Sequence, residues 1–222
     1  HELAQAILSK KCTIGIMGLG YVGLPLARAV VSQGYNCIGF DKNIKRIEKL
    51  NTGQTYIKTL SNEDIVSLNK SSKFFPTTNE HDIAKMDVIL ICVPTPLTKN
   101  REPDMNYVSS ATKTIASQLR KGQLIILEST TYPGTTQELL SPMLEQSGLK
   151  IGKDIYLAYS PEREDPGNVA YNTSTIPKVV GADDDDSREL ATTFYKQIIT
   201  AVAEVSTSAT AEAVKLTENI DP

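Results

Sequence analysis

Between residues 12 and 41 the chain reads as an apolar run, a turn carrying three glycines, a stretch with apolar residues three and four apart, and a second apolar run. The same alternation continues downstream. Short β-branched runs predict strands at 12–18, 35–41, 87–93, 123–129, 154–159, 177–181 and 201–205, with a weaker one at 73–76. Helical spacing predicts helices over 22–33, 43–51, 61–70, 106–120, 135–147 and 185–198. Ser61 followed by Asp64 has the form of a helix-start capping pattern. "DVILICV" and "QLIILEST" are apolar throughout rather than alternating, as in strands covered on both faces. Strands alternating with helices predict an α/β fold built on a doubly wound parallel sheet.

Composition changes this picture little. The 222 residues are 40% hydrophobic and 22% charged, enough for a substantial core. A formal charge of −3 gives no electrostatic reason to expect nucleic acid or an anionic membrane as partner. No apolar run reaches the roughly 18–20 residues that span a bilayer. The first ten residues lack the basic start and long apolar core of a secretion signal. The opening without Met and the abrupt end are read as those of a trimmed chain.

Cys12, Cys37 and Cys92 lie singly on strand-like stretches, and with His1 and His81 as the sole histidines there is no zinc spacing. Buried, reduced thiols of a cytoplasmic protein are expected. No metal site is assigned. The acidic run at 183–186 is read as a helix start, where Asp caps free N–H groups and meets the positive end of the helix dipole.

The turn after the first strand, "GLGYVG", has the G-x-G-x-x-G spacing of a dinucleotide site in a Rossmann-type fold. Gly18 permits the tight turn, Gly20 lets backbone approach a pyrophosphate, and Gly23 lets the helix pack close to the sheet. Tyr21 and Val22 complete the loop, and the helix start offers N–H groups to phosphate. Asp41 ends the second strand 21 residues after Gly20, near the spacing of a ribose-binding carboxylate. A carboxylate there would repel a 2′-phosphate, so NAD is expected rather than NADP. Arg46, one turn further on, either lies against the adenine or a phosphate, or is a solvated helix-face charge.

Four further stretches carry more specific information: "ICVPTP" (91–96), "LESTTYPGTT" (127–136), "YSPEREDPGN" (159–168) and "AEAVKLTEN" (211–219). With GLGYVG, in this order, they closely resemble the UDP-glucose/GDP-mannose dehydrogenase family. "REPDM" (101–105), "STTYPGTT" and "SPEREDPGN" look most like its bacterial UDP-N-acetylglucosamine 6-dehydrogenases of surface-polysaccharide synthesis. Similar patterns occur in the UDP-N-acetylmannosamine enzymes, and a UDP-glucose enzyme is a further alternative. The resemblance runs from about residue 11 to 220. It implies oxidation of a sugar C6 alcohol to a carboxylate with two NAD reduced, through a thiohemiacetal and a thioester on a cysteine.

Residue by residue, the resemblance makes Thr130 the threonine that positions a catalytic water near the nicotinamide, and Thr95 a cofactor contact. Glu162 becomes the proposed base for thioester hydrolysis, a role that needs its pKa raised by burial. Lys215 stabilises the developing alkoxide, and Asn219, four residues on and so on the same helix face, holds the water. Glu162, Arg163, Glu164, Lys215 and Asn219 are the expected substrate contacts. "REDPGN" departs from the "FLREG" type of the UDP-glucose enzymes, so Glu164 is a candidate only. Read locally, Thr130 is a turn hydroxyl, Glu162 to Asp165 a surface ion cluster, and Lys215 a partner for Glu212.

The resemblance also implies two domains in this chain. Residues 1–206 are the NAD-binding part, and 207–222 the start of a central helix through which family members form homo-oligomers. The nucleophilic cysteine and much of the UDP surface would lie beyond residue 222, since Cys92 has no neighbouring base or cation. The chain is therefore expected to hold NAD without turning over a UDP-sugar. Two other readings remain: a stand-alone NAD-binding module, and another NAD oxidoreductase such as a β-hydroxyacid dehydrogenase.

Overall fold

Each apolar run of the sequence forms a strand in the computed structural model, which describes residues 1–162, 177–199 and 202–213. The strands are β1 Thr13–Met17, β2 Asn36–Phe40, β3 Phe74–Thr77, β4 Val88–Ile91, β5 Leu124–Leu127, β6 Tyr156–Tyr159, β7 Lys178–Gly181 and β8 Val202–Val205. They make one sheet in the order β3-β2-β1-β4-β5-β6-β7-β8. The strand order reverses between β1 and β4, the place where such sheets bind ligands at their carboxyl edge.

Every pair is parallel except β6 and β7, which meet antiparallel at Tyr159 and Gly181. The doubly wound parallel sheet expected from the sequence is therefore present, with this one antiparallel junction added. Strand direction follows from where the connection returns the chain, and no local residue pattern records that.

Side chains alternate between two cores, one on each face. Ile14, Ile16, Val88 and Leu90 face one core, with Leu24, Val30, Ile47, Leu68, Leu190 and Phe194 from the covering helices. Met17, Ile89, Ile91, Ile125 and Leu127 face the other, against Val108, Ile115 and Leu144. β4 and β5 are buried along their whole length, which is why they read as unbroken apolar runs.

The helices are α1 Glu2–Leu8, α2 Gly23–Ser32, α3 Ile44–Asn51, α4 Asn62–Lys70, α5 Asn106–Ala116, α6 Ser141–Glu145 and α7 Asp185–Ile198. The capping box at α4 is present in full, with Ser61 Oγ accepting from Asp64 N–H and Asp64 accepting from Ser61 N–H. In the acidic run, Asp184 caps α7 by accepting from Ser187 N–H. Asp183 accepts from the N–H and hydroxyl of Ser208 at 3.1 and 2.9 Å, fixing the start of the helical residues 208–213.

Four local features differ from the sequence reading. α1 and the 3-10 turn at Glu80–Lys85 were not predicted, being too short to show a period. α5 stops at Ala116 rather than 120. The chain turns there so that Arg120 can reach Ala84 O at 2.7 Å, Met86 O at 3.1 Å and Asp87. The helix expected over 135–147 is one π-helical turn, Thr136–Leu140, running into α6. Among the described residues no helix is long and apolar enough to cross a membrane.

Candidate NAD site and catalytic edge

β1 delivers the chain into the glycine loop at the strand-order reversal. Gly18 has φ +97°, a left-handed conformation that side chains resist, and its N–H donates to Phe40 O at 2.8 Å. Gly23 opens α2, where a methyl group would lie 1.8 Å from the carbonyl oxygen of Gly18. At Gly20 a methyl would meet only Arg46 Nη1, at 3.6 Å, so no protein group demands glycine there. The space beside Gly20 suits the close approach of a ligand. Tyr21 is exposed and Val22 half-buried.

α2 also starts differently from several of its neighbours. α3, α4 and α7 begin under the side chains of Asn43, Ser61 and Asp184, whereas no side chain caps α2 at Val22. Leu24 and Leu26 donate to Gly20 O and Val22 O and Pro25 has no N–H, so the diphosphate of a dinucleotide would meet the N–H of Gly23 and those of the loop before it.

Asp41 follows β2 and is nearly buried. One carboxylate oxygen accepts from Leu19 N–H at 3.0 Å and from Arg46 at 3.2 Å, and the other accepts from Asn43 N–H at 2.9 Å. Arg46 pairs with Asp41 at 3.2 Å and lies 5.1 Å above the Tyr56 ring, with its side chain still 38% exposed. The Tyr56 hydroxyl donates to Leu19 O at 2.5 Å. Tyr56 and Asp41 therefore grip Leu19, in the middle of the loop, by the peptide units on either side of its Cα. Nothing in the pattern of the sequence singled out Tyr56.

The three strands that follow β1 in the sheet, β4, β5 and β6, bring the other described candidates to the same edge. Thr95 follows β4 and Thr130 follows β5, both half-buried. The intervening Ser129 hydroxyl donates to Val93 O at 2.6 Å and ties the two strand exits together. Glu162, just after β6, donates its N–H to Glu128 O at 3.3 Å. Arg163, Glu164, Lys215 and Asn219 lie outside the described residues.

Cys12, Cys37 and Cys92 are all buried. Burial, then the charges of Glu128 and Glu162, push the Cys92 thiol well above the ordinary thiol range. Cys92 is thus a protonated core thiol and no nucleophile. Beneath it, Glu128 pairs with Lys178 at 2.9 Å and accepts a hydrogen bond from the Tyr195 hydroxyl. Burial drives the Glu128 carboxyl upward against the pull of Lys178. An acid closing an apolar strand and a lysine opening another were the signals for this pair, and the sequence reading passed over both.

Glu212 is fully buried and accepts from Thr135 N–H at 3.0 Å and Thr136 N–H at 3.1 Å. It thereby satisfies the start of the π turn and couples residues 208–213 to the loop carrying Thr130. Burial holds its carboxyl above the usual carboxylate range, against the hydrogen bonds from Thr136 and Thr135. A carboxyl raised in the folded state stabilises most below its unfolded pKa, and that contribution is lost as pH rises through the folded value. Glu212→Gln is expected to flatten this fall, seen as a smaller change in urea midpoint between about pH 4 and pH 7. Glu212→Ala strands two N–H groups and is expected to cost about 2 kcal/mol or more at neutral pH in the same measurement.

Residues 12–199 match the NAD-binding domain of the UDP-glucose/GDP-mannose dehydrogenase family. The chain belongs to that family. NAD is the cofactor of this UDP-glucose/GDP-mannose dehydrogenase domain. One relative, the UDP-N-acetyl-D-glucosamine 6-dehydrogenase of Pseudomonas aeruginosa, is 38% identical over 212 residues, which are 95% of this chain and 49% of that protein. The structure of a UDP-D-ManNAc dehydrogenase from Pyrococcus horikoshii has a TM-score of 0.86 at 33% identity, over 93% of this chain and 50% of that one. An NDP-N-acetyl-D-galactosaminuronic acid dehydrogenase from Methanosarcina mazei Go1 has a TM-score of 0.86 at 29% identity, over 97% and 49%. The chain spans about half the length of the curated relatives it matches.

Proposed function

We propose that the whole protein oxidises the C6 alcohol of a UDP-sugar, UDP-N-acetylglucosamine first, to the carboxylate. The observation that carries this reading is the convergence of Thr95, Thr130 and Glu162 at the exits of β4, β5 and β6, beside an uncapped helix start. NAD supplies the oxidising power by accepting a hydride at each of two oxidations. In balance, the alcohol, one water and two NAD+ give the acid, two NADH and two protons.

The roles of the residues follow from their chemistry. Gly18, Gly20, Tyr21, Val22 and Gly23 cradle the diphosphate, while Asp41 takes the ribose hydroxyls once Arg46 gives way to lie against the nucleotide. Thr95 lines the cofactor cleft. Thr130 orients the water, and Glu162 removes its proton as the oxygen bonds to the thioester carbon. The carbon–sulfur bond then breaks, and the thiolate leaves. That thiol comes from outside the three described here, all of which are buried. Lys215 opposes the alkoxide charge, Asn219 holds the water, and Arg163 and Glu164 contact the sugar nucleotide.

The proposal further divides the chain into a cofactor domain, 1–206, and a central helix starting at 207, through which the protein forms homo-oligomers. Buried free thiols and a nucleotide-sugar substrate fit a cytoplasmic enzyme of surface-polysaccharide synthesis. UDP-N-acetylmannosamine is the second reading, because dehydrogenases of that name are 33% and 36% identical to this chain.

The test is NADH production by the full-length protein with UDP-N-acetylglucosamine, UDP-N-acetylmannosamine and UDP-glucose in turn. Two NADH per sugar and an acidic product are expected with the first. Turnover of UDP-N-acetylmannosamine alone moves the assignment to the second reading. NAD binding without turnover of any of the three leaves a binding module and overturns the enzyme reading.

A further inference from the structure

The buried pair Glu128–Lys178 has no part in holding the cofactor, yet it is a costly arrangement. Their side chains are 1% and 8% exposed. Removing two charges from water is expensive, and an apolar pair of similar size is often as stable or more so. Stability alone is therefore a poor reason for the pair.

What an apolar pair cannot give is direction. The Lys178 ammonium has three protons and places all of them: on Glu128 Oε2 at 2.9 Å, Ser160 O at 3.2 Å and Pro161 O at 3.1 Å. The second Glu128 oxygen is taken by the Tyr195 hydroxyl of α7, whose ring lies 4.9 Å from the ammonium. Two of the three Lys178 acceptors are the backbone carbonyls immediately before Glu162. The Glu162 N–H returns to Glu128 O at 3.3 Å, and the Ser160 hydroxyl donates to Val179 O at 2.6 Å. The peptide units leading to Glu162 are thus bound to β5 and β7 together.

Glu128 is followed directly by Ser129 and Thr130. One rigid knot therefore controls both the chain that carries Glu162 and the chain that carries Thr130.

We propose that Glu128, Lys178 and Tyr195 form a positioning device that sets the Glu162 carboxylate against Thr130 for the hydrolytic half of the reaction. The device rests on the reading of Glu162 as the base. Its members are positioning residues that act through backbone, and none touches substrate.

The test uses the full-length protein and three variants. Lys178→Met alone leaves a buried carboxylate without its cation and can fail to fold. Glu128→Gln/Lys178→Met removes both charges, keeps an acceptor for Tyr195, and restores a neutral core. Glu162→Gln removes the base itself.

With NAD and UDP-N-acetylglucosamine, the double variant is expected to give a normal first burst of NADH. Steady-state turnover then falls by about 100-fold, the scale of a misplacement near 1 Å. KM for NAD and the unfolding temperature stay close to the parent. Independently of turnover, a crystal structure of the double variant is expected to show the Ser160–Glu162 backbone displaced by about 1 Å.

Parental turnover in the double variant, equal slowing of the burst and the steady state, or an unmoved backbone overturns the positioning role. Glu162→Gln separates the two claims. If it leaves hydrolysis intact, the reading of Glu162 as base fails. If it blocks hydrolysis while the double variant does not, the positioning device alone fails.

Discussion

In the Gly23→Ala variant, affinity for NAD is expected to fall by about 100-fold or more, equivalent to about 2.7 kcal/mol. The added methyl would sit 1.8 Å from the carbonyl oxygen of Gly18, 2.9 Å from its carbonyl carbon and 3.0 Å from a methyl of Ile16. Two of these atoms are backbone and cannot rotate away. Either α2 lifts from the sheet or the turn at Gly18 opens, and both displace the N–H groups from the diphosphate. Overpacking of this kind also costs stability, about 1–3 kcal/mol. Calorimetric titration with NAD, alongside a urea unfolding curve, reads the two effects separately. An unchanged dissociation constant would show that the helix start is not where the cofactor binds. Gly20→Ala is the instructive contrast. It meets nothing closer than 3.6 Å in the protein, so it should leave stability alone and weaken NAD only through the ligand's own volume.

Asp41→Ala is the second large effect, a loss of about 1–3 kcal/mol in NAD binding, the scale of hydrogen bonds to a charged group. Two losses combine. The ribose hydroxyls lose their acceptor, and the loop loses the bond that orients Leu19 N–H, leaving Tyr56 as its remaining grip. Arg46→Ala should do less, because its side chain is 38% exposed and its partner Asp41 keeps both backbone donors. Removing the carboxylate also removes the repulsion against a 2′-phosphate. The ratio of NADP to NAD affinity should therefore rise in Asp41→Ala, and titration with both cofactors measures it. A parallel loss for both would mean that Asp41 acts through the loop alone.

These two positions were legible before any coordinates. Glycine at fixed spacing and an acid at the end of the next strand are local signals, each tied to a turn or a strand end. The strands were equally legible, because a strand buried on both faces must be apolar throughout, as "VILI" and "LIIL" are. What escaped were features whose cause lies far away in the chain. α5 ends early because Arg120 bonds to Ala84, Met86 and Asp87. The π turn begins on N–H groups held by Glu212, more than seventy positions later. Glu212 holds the N–H groups of Thr135 and Thr136, while Lys215 lies outside the described residues.

The sequence by itself determined the β–α alternation, the glycine turn, the acid that follows β2 and the family. Each depends on neighbours within one or two elements, where backbone sterics and burial act directly. Only the tertiary structure decided that β7 runs against β6, that Arg46 lies on Asp41, and that Lys178 holds the approach to Glu162 from across the sheet. Those outcomes turn on which buried charges and backbone groups find partners once the chain has closed, and partners that distant leave no period in the sequence to read.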